Sequence, residues 1–517
     1  MASYSTLQPT AADHASRASS RASQSRRQPH AKKQAGIAGS ASWISSVINL
    51  VNTIVGAGVL AMPHALSNMG IVLGTLVILW AGVTAGFGLY LQTRCARYLD
   101  RGAASFFALS QITYPNAAVL FDAAIAIKCF GVGVSYLIII GDLMPGVVRG
   151  FGEPGNAVYL VDRHFWVTTF MLIVIPLSFL RRLDSLKYTS VVALVSIAYL
   201  VVLVVYHFAS GDTVAERGAI NVIKWQGPIA TLGSFPVIVF AYTCHQNMFS
   251  ILNEIQDNRP LRTTSVVGAS VGSAASIYIL VAITGYLSFG DNIMGNIVAQ
   301  YTPSVFSTIG KASIVVLVMF SYPLQVHPCR ASVDAVSKWR PTHATRGSSD
   351  EYTPASGSPS RSSLLNGQQR KLPVRPKPED MSELRFAIIT TVIIILSYIV
   401  AMTVSSLDKV LAYVGSTGST SISFILPGLF YYKISSPDSP HHQRLLKDEE
   451  DEEYEGLSGE ESHPSSPVGG EGGWGSRVKG RQWRRKVLRR LSLALAGYGL
   501  LVMVVCLVIN TFFVVAH

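Results

Sequence analysis

Ile48-Asn-Leu-Val-Asn52-Thr53-Ile-Val-Gly56-Ala57-Gly58-Val-Leu-Ala-Met-Pro63 is an apolar stretch broken at its middle by two glycines and closed by a proline. The glycines leave the backbone without side-chain cover, and Pro63 removes one donor. Further along runs Gly233-Ser-Phe-Pro236-Val-Ile-Val-Phe240-Ala241-Tyr242-Thr243-Cys244-His245-Gln246-Asn247. It opens on a Gly/Pro break and then carries an unbroken polar run from Tyr242 to Asn247. Such segments are hard to explain in a soluble fold. In a membrane, a broken helix frees N–H and C=O groups where they line a cavity.

The surrounding sequence makes the membrane reading compulsory. Of 517 residues, 49% are hydrophobic and 14% charged; ordinary globular domains carry about 25% charged residues. Mean hydropathy is +0.36. The apolar excess falls into eleven blocks of spanning length: Ser45–Pro63, Ile71–Thr93, Ala117–Leu143, Phe165–Leu180, Ser190–Phe208, Ile229–Leu252, Val266–Phe289, Val305–Val326, Phe386–Val404, Val410–Tyr431 and Leu491–Val515. The expected fold is therefore an all-α integral membrane protein. Its transmembrane regions are 43–330, 383–433 and 488–517. Polar, Ser-, Pro- and charge-rich segments at 1–42, 331–382 and 434–487 are expected to be disordered and cytoplasmic.

Loop charges orient the spans. With the N-terminus in the cytoplasm, Arg94, Arg97, Arg101, Arg181, Arg182, Lys187, Arg259 and Arg262 lie inside, as do the bases of both long loops. The loop from Gly290 to Pro303 has no base. The net charge of +12 then reflects topology and not nucleic-acid binding. Asp13 is the sole acid of the first forty residues, which lack the apolar core of a secretory signal. An Arg/Ser-rich transit segment shares that composition; a cytoplasmic tail is the preferred reading. None of the five cysteines is expected on the far side of the membrane, so no structural disulfide is expected.

The two interrupted segments are the first and sixth spans. These are equivalent positions if the first ten helices form a five-plus-five inverted repeat with one helix appended. Small residues that only permit close packing would explain Gly56 by itself. Two matched breaks point to a binding centre. Lys128 falls inside the third span, where a charge is costly unless it is paired or borders water. It reads as a proton-linked or structural cation near the site, with Asp122 earlier on the same helix, or as an ammonium snorkelling to the interface. His245 reads as a gate or proton carrier, or as a neutral ring bonded to a carbonyl. Asp142 and Glu254 sit near span ends, where a structural role leads. Ser321 can stand by a polar path or back-bond to its own helix. No GxSxG, HExxH, Walker A or CxxC motif occurs, so neither an enzyme nor a metal site is expected. Tyr4-Ser-Thr-Leu7 and Tyr454-Glu-Gly-Leu457 match short sorting patterns that are common by chance.

The motif Ile48–Pro63 resembles the amino acid/auxin permease family, and within it the fungal vacuolar amino acid transporter branch. So do Lys128-Cys-Phe-Gly-Val-Gly-Val-Ser-Tyr-Leu137, Phe240-Ala-Tyr-Thr-Cys-His-Gln-Asn-Met-Phe-Ser250 and Ser321-Tyr-Pro-Leu-Gln325. The resemblance covers essentially all the spans. It implies the five-plus-five repeat of the APC superfamily, alternating access, and amino acid movement coupled to an ion gradient across a vacuolar, lysosome-like membrane. Backbone from Thr53 through Gly56, Ala57 and Gly58 would take the substrate's carboxylate and amino groups, and Tyr242, Thr243 and His245 would complete the pocket. Asn52 stands where sodium-coupled relatives bear an ion-associated asparagine, which leaves sodium open, while the vacuolar branch favours protons. Asn52, Lys128 and Ser321 are the ion-coupling candidates. No cofactor is expected beyond the coupling ion, and the partners expected are amino acid and lipid, for a monomeric transporter. No buried carboxylate stands out in either break, which favours neutral substrates. A sensor signalling through its loops and a sodium-coupled plasma-membrane symporter are the rival readings.

Overall fold

The computed structural model describes residues 39–152, 155–180, 189–338, 381–447 and 471–513. Eight helices in it are long and apolar enough to cross a membrane, and a ninth traverse is the pair Trp43–Ile54 and Gly58–Ser67, bent by 57° at Val55–Ala57. Two more traverses are shorter or irregular. Arg163–Ser178 has only 16 residues. The tenth runs from Leu407 to Ile434 but changes pitch twice, at Gly415–Ser419 and Ser421–Ile425. Together they make the eleven spans expected from hydropathy. The bend in the first span is the expected break, and the sixth is interrupted at Tyr242–Cys244 between Pro228–Ala241 and His245–Glu254.

The packing follows a two-fold logic. The first span contacts the sixth, the second the seventh, the third the eighth and the fourth the ninth. The longest seam joins the third, Ala118–Phe151, to the eighth, Val305–Lys338. Each of the first four spans thus meets its counterpart five places on, as two interlocked halves require. The eleventh span lies outside this scheme, against the tenth and sixth. Exposed Leu172, Val195, Val202, Leu500, Leu501 and Val504 face outward, as lipid-bathed helix surfaces do.

Two expected boundaries move. The eighth span continues as helix to Lys338, eight residues into the segment read as the loop 331–382. The final helix begins at Glu471, and residues 440–447 are helical, both inside the segment read as 434–487. Ser and Pro content suggested loops there, but helix can run past the hydrocarbon boundary wherever it has neighbours to pack on. Residues 1–38, 339–380 and 448–470 lie outside the described residues, as do Arg181, Arg182, Lys187 and both tyrosine motifs. All five cysteines are buried and unpaired.

Candidate functional site

The two breaks face each other across a cavity of about 380 Å³. Val55 caps the first half-helix by donating to the Val51 carbonyl at 2.8 Å, and the next turn closes through three-residue Val59-to-Gly56 and Leu60-to-Ala57 bonds at 3.2 and 3.3 Å. The N–H groups of Gly56, Ala57 and Gly58 take no backbone partner among the described residues, as expected at a helix start. All three residues line the cavity, together with Asn49, Asn52 and Thr53. A helix N-terminus presenting free donors is an anion seat.

Opposite them, Thr243 lines the cavity with its hydroxyl back-bonded to the Val239 carbonyl at 2.8 Å. The restarted helix then turns Gln246, Asn247, Ser250 and Glu254 toward the space. That i, i+3/i+4 spacing is one helical face. Asn247 Nδ2 reaches Thr53 Oγ1 at 3.5 Å, so the two breaks touch at the mouth. Lys128, Tyr136, Ser321 and Gln325 form the third wall. Lys128 is 4% exposed, and no carboxylate lies within ion-pair distance of it among the described residues. Ser321 donates to the Leu317 carbonyl at 2.7 Å while lining the cavity.

Tyr242 and His245 stand elsewhere. Neither lines the cavity. Tyr242 packs edge-on against Tyr278 and against Gly82 of the second span. His245 is fully buried, its Nε2 3.1 Å from the Ala85 carbonyl, and Gln92 donates to its carbonyl at 3.3 Å. The sequence expectation that both complete the pocket is corrected on geometry: the helical turn that aims Gln246 and Asn247 inward aims His245 at the second span. The carbonyl-bonded alternative for His245 is the one observed. His245→Ala is accordingly expected to cost about 2–4 kcal/mol of stability and to leave the KM of the surviving protein unchanged. Thermal melts beside uptake kinetics would show it; a raised KM at unchanged stability would contradict the assignment.

Other lining residues went unrecognised. Asn247 and Gln246 stood in the quoted polar run, and their spacing to Ser250 and Glu254 was the available signal. Glu254, read as structural, lines the mouth. Asp142 is indeed paired, with Arg163 Nε at 3.3 Å. The tenth span had no polar reading, yet its Gly415-Ser-Thr-Gly-Ser-Thr-Ser421 run forms π-helical turns directly behind the site. A Cβ on Gly418 would lie 2.8 Å from the Lys128 backbone nitrogen, and one on Gly415 would lie 2.0 Å from the Pro236 carbonyl oxygen. Ser423 Oγ meets Thr243 Oγ1 at 3.2 Å. Local π-turns are common at functional sites.

One residue without any sequence signal ties the centre together. Tyr278 of the seventh span, fully buried, places its hydroxyl 2.7 Å from the Ile54 carbonyl and 2.7 Å from the Ala241 carbonyl. These are the last carbonyls of the two half-helices, one on each side of the site.

The cavity lining runs from the breaks toward the face on which Ala41 lies, through Ser250, Gln325 and Pro328. A smaller space of about 160 Å³, walled by Ala104–Phe107 and Ser332, continues from Gln246, Asn247 and Pro328. Beside the cavity the two breaks pack closely. A Cβ on Gly58 would come 2.5 Å from the Ala241 Cβ. Farther out, Arg163 clasps Asp142 and the Ala401 and Val404 carbonyls at 3.3, 3.0 and 3.2 Å. Gly58→Ala is expected to destabilise by about 1–3 kcal/mol through this overpacking. Gly56→Ala, whose Cβ would meet nothing within 4 Å, is expected to leave stability unchanged and to act on substrate affinity alone. Equal melting losses in the two variants would refute the close approach.

The chain matches the family model described as "Transmembrane amino acid transporter protein" over residues 39–449. It is 39% identical over 478 residues to vacuolar amino acid transporter 5 of Schizosaccharomyces pombe, covering 91% of this chain and 95% of that protein. It is 44% identical over 407 residues to vacuolar amino acid transporter 6 of Saccharomyces cerevisiae, covering 76% and 90%. Its fold is similar to the inward-facing conformation of Mhp1, with TM-score 0.51 at 11% identity over 77% of each chain. A match across most of the chain, with relatives above 30% identity over nearly their whole length, leads to one conclusion: the chain belongs to the transmembrane amino acid transporter family.

Proposed function

We propose that this chain is a secondary transporter that carries neutral amino acids across the vacuolar membrane by proton-coupled alternating access. The observation that carries the reading is the cavity between the two breaks, lined by Gly56–Gly58, whose N–H groups take no backbone partner among the described residues, and by Asn247, Gln246 and Thr243. A zwitterion needs donors for its carboxylate and acceptors for its ammonium, away from bulk water. The start of the second half-helix supplies the first, and Asn49, Asn52 and Thr53 on the end of the first half-helix supply the second. About 380 Å³ suffices for one amino acid with part of its hydration. Lys128 stands in the wall with no described carboxylate at ion-pair distance, and when protonated it works against cationic side chains.

The close approach of Gly58 to Ala241 and the Arg163 clasp support a state closed on their side, one of the two end states that alternating access requires. Lys128, Asn52 and Ser321 line the same space, so a proton or cation bound there would sense the substrate directly. The relatives' names support a vacuolar membrane, and the loop charges support a cytoplasmic N-terminus and luminal C-terminus; because one chain holds both breaks and the whole cavity, the proposed unit of transport is a monomer. Proteoliposomes holding the purified chain, under an imposed pH gradient and with choline replacing sodium, test the proposal. Accumulation of a neutral amino acid that collapses with a protonophore is expected. Flux that follows sodium, or no gradient-driven flux of any neutral amino acid, would sink it.

A further inference from the structure

The second half of the sixth span, His245–Glu254, has 10 residues and follows a break, so no continuous helix before it sets its rotation. Helices that short take their order from what they pack on. Two rows of side chains run along it at four-residue spacing, each row on one face. Gln246, Ser250 and Glu254 form the row that lines the cavity. His245, Phe249 and Asn253 form the adjacent row, which docks on the second span and on the connection that follows it. Whatever holds the docking row therefore decides where the lining row points.

The docking row is held at three places. His245 Nε2 lies on the Ala85 carbonyl, and Gln92 donates to the backbone carbonyl of residue 245. Phe249 meets Phe106 edge-on, with ring centroids 5.0 Å apart. At the far end Asn253 grips Ala104 by both polar atoms of its backbone. The Ala104 N–H donates to Asn253 Oδ1 at 3.1 Å, and Asn253 Nδ2 donates to the Ala104 carbonyl at 2.9 Å. One hydrogen bond leaves a pivot, whereas a planar amide that donates and accepts at once does not. The gripped segment is itself firm, because Ser105 caps the helix Phe106–Thr113 by accepting from the Ala108 N–H at 3.0 Å. Arg101 donates to the Ile255 and Gln256 carbonyls at 3.3 and 2.6 Å, and Ala41 to the Glu254 carbonyl at 2.9 Å. Those bonds fix where the backbone ends; the Asn253 amide ties down a side-chain face.

The same contact borders the smaller space of about 160 Å³. Ala104, Phe106 and Phe249 wall it, and it shares Gln246, Asn247 and Ser250 with the cavity.

We propose that Asn253 is a positioning residue of the transport site: its grip on Ala104 sets the rotation of this half-helix, and with it the places of Gln246, Asn247 and Ser250. The proposal rests on the reading of the cavity as the amino acid site. His245 matters less here, because Gln92 holds the carbonyl at 245 whatever the side chain. Ala104 borders the smaller space, so water can satisfy its N–H and C=O once the amide is lost, and the fold survives.

The test labels single cysteines in the full chain, reconstituted in liposomes, with a small methanethiosulfonate reagent. The five native cysteines are buried and set the background. Ser250→Cys reports the lining row, and Leu252→Cys reports a position 3% exposed that borders neither space. Ser250→Cys is expected to react at least about tenfold faster than Leu252→Cys, and adding Asn253→Ala should bring the two rates within about threefold. Asn253→Asp keeps the acceptor but loses the donor, and should do the same; the exposed Asp257→Asn should leave the ratio as in the parent. Uptake of radiolabelled leucine and glutamine should show an apparent KM raised about tenfold in Asn253→Ala, at an unchanged melting temperature. Equal labelling of the two positions without the Asn253 change overturns the proposal, as does a ratio that neither Asn253 variant alters. A lowered melting temperature with KM unchanged also overturns it, because Asn253 would then be structural only. Should the parent carry neither amino acid, the reading as a neutral amino acid transporter loses its support, while the labelling ratio still decides the rotation.

Discussion

Tyr278→Phe is expected to lower transport at least tenfold while the protein still inserts and folds. The phenol oxygen sits 2.7 Å from the last carbonyl of each half-helix, Ile54 and Ala241, and its one proton is shared between them. Phenylalanine keeps the ring and its edge contact with Tyr242 but removes the donor. Buried carbonyls that lose their donor cost about 1–3 kcal/mol, and here the loss falls on the ends that shape the cavity. The half-helices would drift apart or rewind, and either change displaces Gly56–Gly58 from Asn247. The measurement is substrate uptake in proteoliposomes normalised to folded protein, with melting temperature alongside. Uptake within twofold of the parent would show that the tyrosine is ordinary core packing.

Lys128→Met should produce the largest change in selectivity. A unit charge about 6 Å from a cationic substrate side chain repels it by roughly 3 kcal/mol at an effective dielectric constant of about 20. Removing the ammonium is therefore expected to raise affinity for arginine and lysine by up to about a hundredfold. Methionine is close in length and fills the same space, so Gly418, whose Cβ would lie 2.8 Å from the Lys128 Cβ, is not crowded. If Lys128 also links the proton to the substrate, accumulation driven by a pH gradient should disappear while exchange of substrate across the membrane persists. Competition by arginine in exchange and in gradient-driven uptake reads both effects separately. Unaltered discrimination would place the ammonium away from the bound side chain, and unaltered accumulation would remove it from coupling.

Two kinds of information separate cleanly when these residues are compared. Gly56, Gly58 and Pro236 announce breaks because their effects are local: each acts on its own backbone. Lys128 stood out because a charge in hydrocarbon is costly wherever its neighbours are. The direction of a side chain carries no such mark. Tyr242, Thr243, His245, Gln246 and Asn247 are consecutive and polar, yet Thr243, Gln246 and Asn247 line the cavity while Tyr242 and His245 pack against the second and seventh spans. Which of them turned inward depended on where the helix restarted, at His245. Tyr278 lay in an unremarkable apolar span, and its role depends on two carbonyls on other helices, 37 and 224 residues away.

The sequence by itself determined the solvent, the number of spans and the two places where the helices break. All of these follow from composition and from short-range backbone chemistry, which do not need a partner. Tertiary structure alone decided which residues face the cavity, that a seventh-span hydroxyl holds both breaks, and that the π-turns of the tenth span stand behind Lys128. It also decided that Asn253 grips Ala104, 149 positions away. The reason is physical: a binding site is a set of directions and distances among groups brought together by packing, and sequence spacing encodes those only within a single helix.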